Sequence, residues 1–301
     1  MGYRSVFIQS AARISVRQQQ LVILTDAERH LPLEDVDCLL LEDPRSTLTA
    51  AALAACAEAG VTVFICDARH MPCGVYTPWN SHSRQYAVIK DQLALTLPAK
   101  KRLWQQLVRA KIENQARCLQ QCGAAEAAAA LQSRAAAVQS GDATHQESAA
   151  AAQYFPALFG KGFTRGGECA VNAGLNYGYA IMRGHLARLL AGYGFLPALG
   201  LNHCSELNAF NLADDLIEPY RPLVDLFVAT QIGPQAPAAL SPAIKHRLLE
   251  LLHAEMRIDG KRHTAAHAME LTVQSLRRAC GERGAALLLP ELTGTELHRY
   301  E

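Results

Sequence analysis

Over the first eighty residues the apolar positions recur at period two in short runs, Val6 with Ile8 and then Ile14 with Val16, separated by polar turns. This predicts strands at Ser5 to Gln9, Arg13 to Arg17, Gln20 to Leu24, His30 to Pro32, Asp37 to Leu41 and Val61 to Cys66. Each strand presents one apolar face, which two stacked sheets require, so a small β-sandwich is expected. One helix interrupts it from Thr47 to Gly60, with Ser46 or Thr47 as the cap and Gly60 as the stop. Residues Cys66 to Ser83 are rich in turn formers and read as a hairpin or linker. Beyond them the period lengthens to that of amphipathic helices: Lys101 to Gln121, Ala124 to Ser140, Gln146 to Leu158, Glu168 to Ala191, Glu206 to Ile217, Arg221 to Gln231, Pro242 to Met256 and His263 to Arg278. The expected fold class is therefore α+β, a small N-terminal β-sandwich domain (residues 1–85) followed by a larger all-helical C-terminal domain (residues 86–301).

Composition narrows this picture. Of 301 residues, 50% are hydrophobic and 19% charged, which excludes a largely disordered chain. Arg183, His185 and Arg188 break the apolar stretch from Tyr177 to Phe195, so no transmembrane helix is expected. The first twenty residues lack an apolar segment behind a basic start, and the expected location is the cytoplasm. Nine cysteines without a CxxC pair point to reduced, mostly buried thiols; Cys118 and Cys122 share a helix face without completing a zinc site.

The formal net charge of +1 conceals an uneven distribution. Residues 1–80 hold six Lys or Arg against nine Asp or Glu, whereas between Arg84 and Arg117 eight basic residues face only Asp91 and Glu113. Such a stripe suits a phosphate backbone, and it also suits a solvated helix face.

Three polar features stand out against the apolar helices. Glu147 follows Thr144 at the spacing of a capping box; it also reads as an inward carboxylate on the first helical turn, beside Tyr154, Phe155 and Phe159. His203 lies in a loop and reads as a satisfied polar residue or as a ligand. Asp214, Asp215 and Glu218 cluster at a helix end before Pro219, where each acidic charge costs about 0.3 to 1 kcal/mol against the helix dipole. Pairing with Arg221 or a bound cation would offset that cost. Two carboxylates and an imidazole with open positions suit a hard divalent ion such as Mg²⁺ or Mn²⁺.

Five blocks in order, EDPRSTLTAAALAACAEAGVTVFICDARHMPCG, KIENQA, GDATHQESAAAAQYFPALFG, VNAGLNYGYAIMRG and NHCSELNAFNLADDLIEPYRPLVD, resemble the CRISPR-associated integrase family Cas1, the universal spacer-acquisition proteins, and among them the versions of type II systems. The resemblance runs to Asp225 and fades after about residue 260. It implies a homodimer bound to double-stranded DNA and to a small second universal adaptation protein, with the type II effector nuclease as a further partner. It also implies Glu147, His203 and Glu218 as catalytic metal ligands for Mg²⁺ or Mn²⁺, with Asp214 as an alternate ligand or a carboxylate behind them. Ser148 stands where the family pattern has glycine.

The implied reaction is metal-dependent attack of a DNA 3′-hydroxyl on a phosphodiester at a repeat edge, with endonuclease activity from the same site. A catalytically idle DNA-binding scaffold and a general branched-DNA repair nuclease are the alternative readings. Lys100, Lys101, Arg102, Arg109 and Lys111 on the basic helix, with Lys245, Arg247, Lys261 and Arg262 further on, are the candidate DNA contacts. Tyr76, Trp79 and Trp104 are read either as stacking platforms for splayed bases or as residues of core packing or a dimer interface.

Overall fold

The computed structural model describes residues 4–76, 84–232, 239–282 and 284–298, and the chain divides into two compact units, residues 1–83 and 84–301. Trp79 lies outside the described residues.

The first unit holds β1 (Arg4–Ile8), β2 (Arg13–Arg17), β3 (Gln20–Leu24), β4 (Glu28–Pro32), β5 (Val36–Leu41), β6 (Thr47–Leu48), α1 (Ala50–Ala59), β7 (Thr62–Cys66) and β8 (Pro72–Tyr76). They form two four-stranded sheets, in the orders β1-β5-β7-β8 and β4-β3-β2-β6. The expected sandwich is present, and its core draws Ile14, Leu21 and Ile23 from one sheet, Leu39, Leu41 and Val63 from the other, and Ala52 and Cys56 from α1. All six residues of β5 are buried, as a strand paired in parallel on both sides requires. The α1 cap falls on Thr49, whose hydroxyl accepts the Ala52 N–H at 3.2 Å. Ser46 and Thr47 do not cap, because Thr47 and Leu48 are taken up in pairing with Arg13 and Ile14. Tyr76 packs against the sandwich core.

The second unit is mostly helical: α2 (Gln85–Leu93), α3 (Leu97–Gln121), α4 (Ala125–Ala136), α5 (Gln146–Phe159), α6 (Ala170–Gly192), α7 (Asn211–Leu216), α8 (Arg221–Gln231), α9 (Pro242–Glu250) and α10 (Ala265–Gly281). It is not all helical. A three-stranded antiparallel sheet, order β10-β9-β11, is formed by β9 (Ala254–Ile258), β10 (Lys261–Thr264) and β11 (Glu291–Leu297). Ala254, Met256 and Ile258 are buried in alternation, and Asp259 and Gly260 between β9 and β10 both take left-handed φ values, 52° and 73°. That two-residue turn matches the twist of a hairpin and closes the pair.

The helix expected from Glu206 begins only at Asn211. Its side chain binds the carbonyls of Ala198 and Ser205 and the N–H of Ser205, so the preceding residues form turns rather than a helical ladder. Helix α3 is the long central element, burying Trp104, Leu107, Val108, Ile112, Gln115 and Cys118. Helix α6 is buried along most of its length, and a Cβ on Gly174 would stand 2.6 Å from Ile232 Cδ1, so glycine sets its approach to that residue. No helix among the described residues is long and apolar enough to cross a membrane.

Candidate metal centre

Four segments of the second unit converge: the middle of α3, the first turn of α5, the loop before α7, and the single helical turn between α7 and α8. The α5 segment carries Glu147. Its first turn is capped by Asp142, whose two carboxylate oxygens accept the N–H groups of Gln146 and Glu147 at 2.8 and 3.0 Å. The capping-box expectation for Thr144 and Glu147 is thereby corrected: His145 enters the helix with φ 52°, the cap lies five residues before Glu147, and the glutamate side chain is free to turn inward.

Inside, Lys111 Nζ stands 2.6 Å from Glu147 Oε1 and 2.6 Å from Glu218 Oε2. Glu218 Oε1 accepts Arg221 Nε at 3.0 Å, the pairing expected of Arg221. Burial on its own would raise the Glu218 carboxyl pKa, yet the ammonium of Lys111 and the guanidinium of Arg221 overcome it and hold the carboxyl below its usual range. Burial likewise disfavours charge on Lys111, and the two carboxylates outweigh it, raising the ammonium pKa.

His203 is set by Asp215. Asp215 is fully buried and accepts the N–H groups of Leu201, Asn202 and His203 at 2.5, 3.2 and 3.0 Å, and its Oδ1 lies 2.7 Å from His203 Nδ1. The loop closes so tightly here that a Cβ on Gly200 would meet Asp215 Oδ2 at 2.8 Å. Trp104 stacks edge-on against the imidazole with centroids 5.7 Å apart. An imidazole whose Nδ1 proton is given to a carboxylate presents its Nε2 lone pair outward, the arrangement common to metal-binding histidines. The hydrogen bond to Asp215 raises the His203 pKa, burial opposes this, and Glu218 adds to the rise.

The carboxylate standing behind the imidazole of His203 is therefore Asp215 and not Asp214. Asp214 is turned the other way, bound by Arg183 Nε at 2.8 Å and by the amide of Asn208 at 2.6 Å. Successive residues on a helix point about 100° apart, so only one of the adjacent pair can face the histidine.

Among the described residues no three His, Cys, Asp or Glu side chains stand at ligating spacing, and an ammonium stands between the two glutamates. The donor set nonetheless fits a hard divalent ion. Two carboxylates and an oriented imidazole share one neighbourhood, and the position between the carboxylates already holds a cationic group.

The candidate DNA contacts separate. Lys101, Arg102 and Arg109 are exposed on α3, with Arg109 also paired to Glu113 at 3.1 Å. Lys100 is half-buried and donates to the Gly200 carbonyl at 3.4 Å. Lys111 belongs to the carboxylate pair, and Lys245 is buried, so neither offers a surface charge to a phosphate; both readings are corrected. Arg247 is exposed and lies over the Phe227 ring; Lys261 and Arg262 are exposed on the β10 strand. Trp104 is a packing residue, 3% exposed. Asp142 has no place in the sequence reading, which takes Lys111 as a DNA contact and Asp215 as one of the acidic cluster before Pro219 without linking it to His203. For Lys111 a signal existed: it falls on the stripe of Trp104, Leu107, Val108, Gln115 and Cys118 that recurs every three or four residues and is buried.

The family model described as "CRISPR associated protein Cas1" matches residues 6–236, and the chain belongs to that family. Over 304 residues it is 43% identical to the CRISPR-associated endonuclease Cas1 of Neisseria meningitidis serogroup C (strain 8013), covering all of both chains. Among solved structures, it matches "Casposase bound to integration product" with a TM-score of 0.74 and 17% identity, over 94% of this chain and 92% of that one. It also matches a chain of the "Cas6-RT-Cas1--Cas2 complex" with a TM-score of 0.72 and 20% identity, over 96% of this chain and 36% of that longer one. These structures share the fold.

Proposed function

We propose that this chain is a divalent-metal-dependent DNA integrase and endonuclease that inserts short foreign DNA fragments into a CRISPR array by 3′-hydroxyl attack at a repeat edge. Family membership supports a role in spacer acquisition. The observation that carries the chemistry is the convergence of Glu147 and Glu218 on one cationic position beside His203, which Asp215 orients. Glu147, His203 and Glu218 would hold Mg²⁺ or Mn²⁺. Bound there, the ion would supply Lewis-acid activation of the attacking hydroxyl and charge neutralisation at the phosphate.

The chain's own groups do the rest. Lys111 and Arg221 together keep the Glu218 carboxylate ionised, and Arg221 aims it. Asp215 keeps the histidine tautomer in which Nε2 is a lone pair. The exposed Lys101, Arg102 and Arg109 suit the DNA backbone. The working form we propose is a homodimer acting in the cytoplasm with the small second adaptation protein, in a type II system whose effector nuclease is a further partner.

The test uses the purified protein and that small partner with a fluorescent 3′-hydroxyl duplex, a repeat-bearing plasmid and Mg²⁺ or Mn²⁺. Wild type should transfer label to the plasmid, and Glu147→Ala, His203→Ala and Glu218→Ala should not, while each stays folded by circular dichroism. Label transfer by any of the three at the wild-type rate removes that residue from the catalytic set. DNA binding without transfer by the wild type would favour a scaffold.

A further inference from the structure

The position between Glu147 and Glu218 holds a side chain of this protein. Lys111 Nζ stands 2.6 Å from an oxygen of each, on a side chain 12% exposed, in the middle of a 25-residue helix. An ion ligated by the same two oxygens would stand about 2.0 to 2.2 Å from each, so ion and ammonium claim one place. Without some cation there, two carboxylates, one of them 5% exposed, would face each other across a partly dehydrated gap and repel.

We propose that Lys111 is an internal competitor for the metal: its ammonium holds the two carboxylates together in the metal-free protein and leaves their midpoint when a divalent ion enters. This rests on the metal-centre reading above. The four-carbon stem has the rotational freedom to carry the ammonium aside without moving α3. The region is open enough for exchange, with the Glu147 side chain 27% and the His203 side chain 41% exposed. The lysine keeps the ligands near their working geometry before the metal arrives, and the metal binds more weakly than the bare carboxylates would bind it.

The test titrates Mn²⁺ into wild type, Lys111→Met, Lys111→Gln and His203→Ala, reading free Mn²⁺ by electron paramagnetic resonance and melting temperature in parallel. Removing the charge should tighten Mn²⁺ binding by about tenfold or more. It should also lower the melting temperature of the metal-free protein and enlarge the rise that Mn²⁺ produces. In wild type, amine acylation mapped by mass spectrometry should reach Lys111 faster when Mn²⁺ is bound, a readout needing no variant. Mn²⁺ binding by the lysine variants no tighter than by wild type, or acylation of Lys111 unchanged by Mn²⁺, overturns the competition. If wild-type binding is then still lost in His203→Ala, the metal centre stands. Binding indifferent to His203→Ala, or none by any form, removes the metal centre and this proposal with it.

Discussion

The side-chain amide of Asn114 donates to the Pro219 carbonyl at 2.8 Å, tying the residue after Glu218 to α3 one turn beyond Lys111. The same amide donates to the Pro290 carbonyl at 2.9 Å, and its oxygen accepts from Leu292 N–H and Arg117, each at 3.0 Å. Asn114 is fully buried, with both donors and its acceptor oxygen in use. The glutamate and lysine that face each other are thus held in register by a neighbour that touches neither carboxylate.

Asn114→Leu should therefore cost about 2 to 5 kcal/mol, since it strands two buried carbonyls and one buried N–H. Integration should fall with it as Glu218 loses its support. Urea unfolding checks the first point; a change below about 0.5 kcal/mol would mean the site is held by packing alone.

Asp215→Asn should weaken Mn²⁺ binding by about 10- to 100-fold while leaving Glu147, His203 and Glu218 in place, as removing the partner behind a ligating histidine does elsewhere. Asp215→Ala should in addition lower stability, because three backbone N–H groups lose their acceptor. Equal Mn²⁺ affinity in wild type and Asp215→Asn would show that the imidazole orients without it.

Asp225 is fully buried against Tyr154 and Tyr179, and burial pushes its carboxyl up to about 6 in spite of their hydrogen bonds and the nearby Arg221. The folded pKa lies above the unfolded one, so the folded state holds the extra proton. The associated stability is fully present below about pH 4 and is lost as pH rises through about 6, a difference of about 3 kcal/mol. Asp225→Asn should flatten this segment of the stability profile, measured by urea unfolding from pH 4 to 7. An unchanged slope would place the titration elsewhere.

Lys101→Glu with Arg102→Glu should weaken duplex binding and reduce the slope of log affinity against log salt by about one for each phosphate no longer neutralised. Fluorescence anisotropy at several salt concentrations reads both. A parallel shift with no change of slope would take this face of α3 off the DNA path.

Much of the fold was legible because burial on one face leaves a period in the sequence. Arg13–Arg17, Gln20–Leu24 and Arg221–Gln231 fall where the pattern places them. The pattern failed where another competitor acted. The helical reading of Pro242 to Met256 ran through Ala254–Ile258, whose short alternation and Asp-Gly turn belong to a hairpin. The helix expected from Glu206 lost its first turn to the side-chain bonds of Asn208 and Asn211.

The chain itself determined the local elements and, through its motifs, the trio Glu147, His203 and Glu218. Their chemistry is a property of residue type, and the period of burial is written in the order of apolar and polar residues. Only the tertiary structure decided that Lys111 sits between Glu147 and Glu218 rather than on the surface, that Asp215 and not Asp214 holds the histidine, and that Lys245 is buried. Lys111 and Glu147 are 36 residues apart on different helices, and the direction of one ammonium depends on how those helices pack. A charge in sequence has no address until packing closes around it.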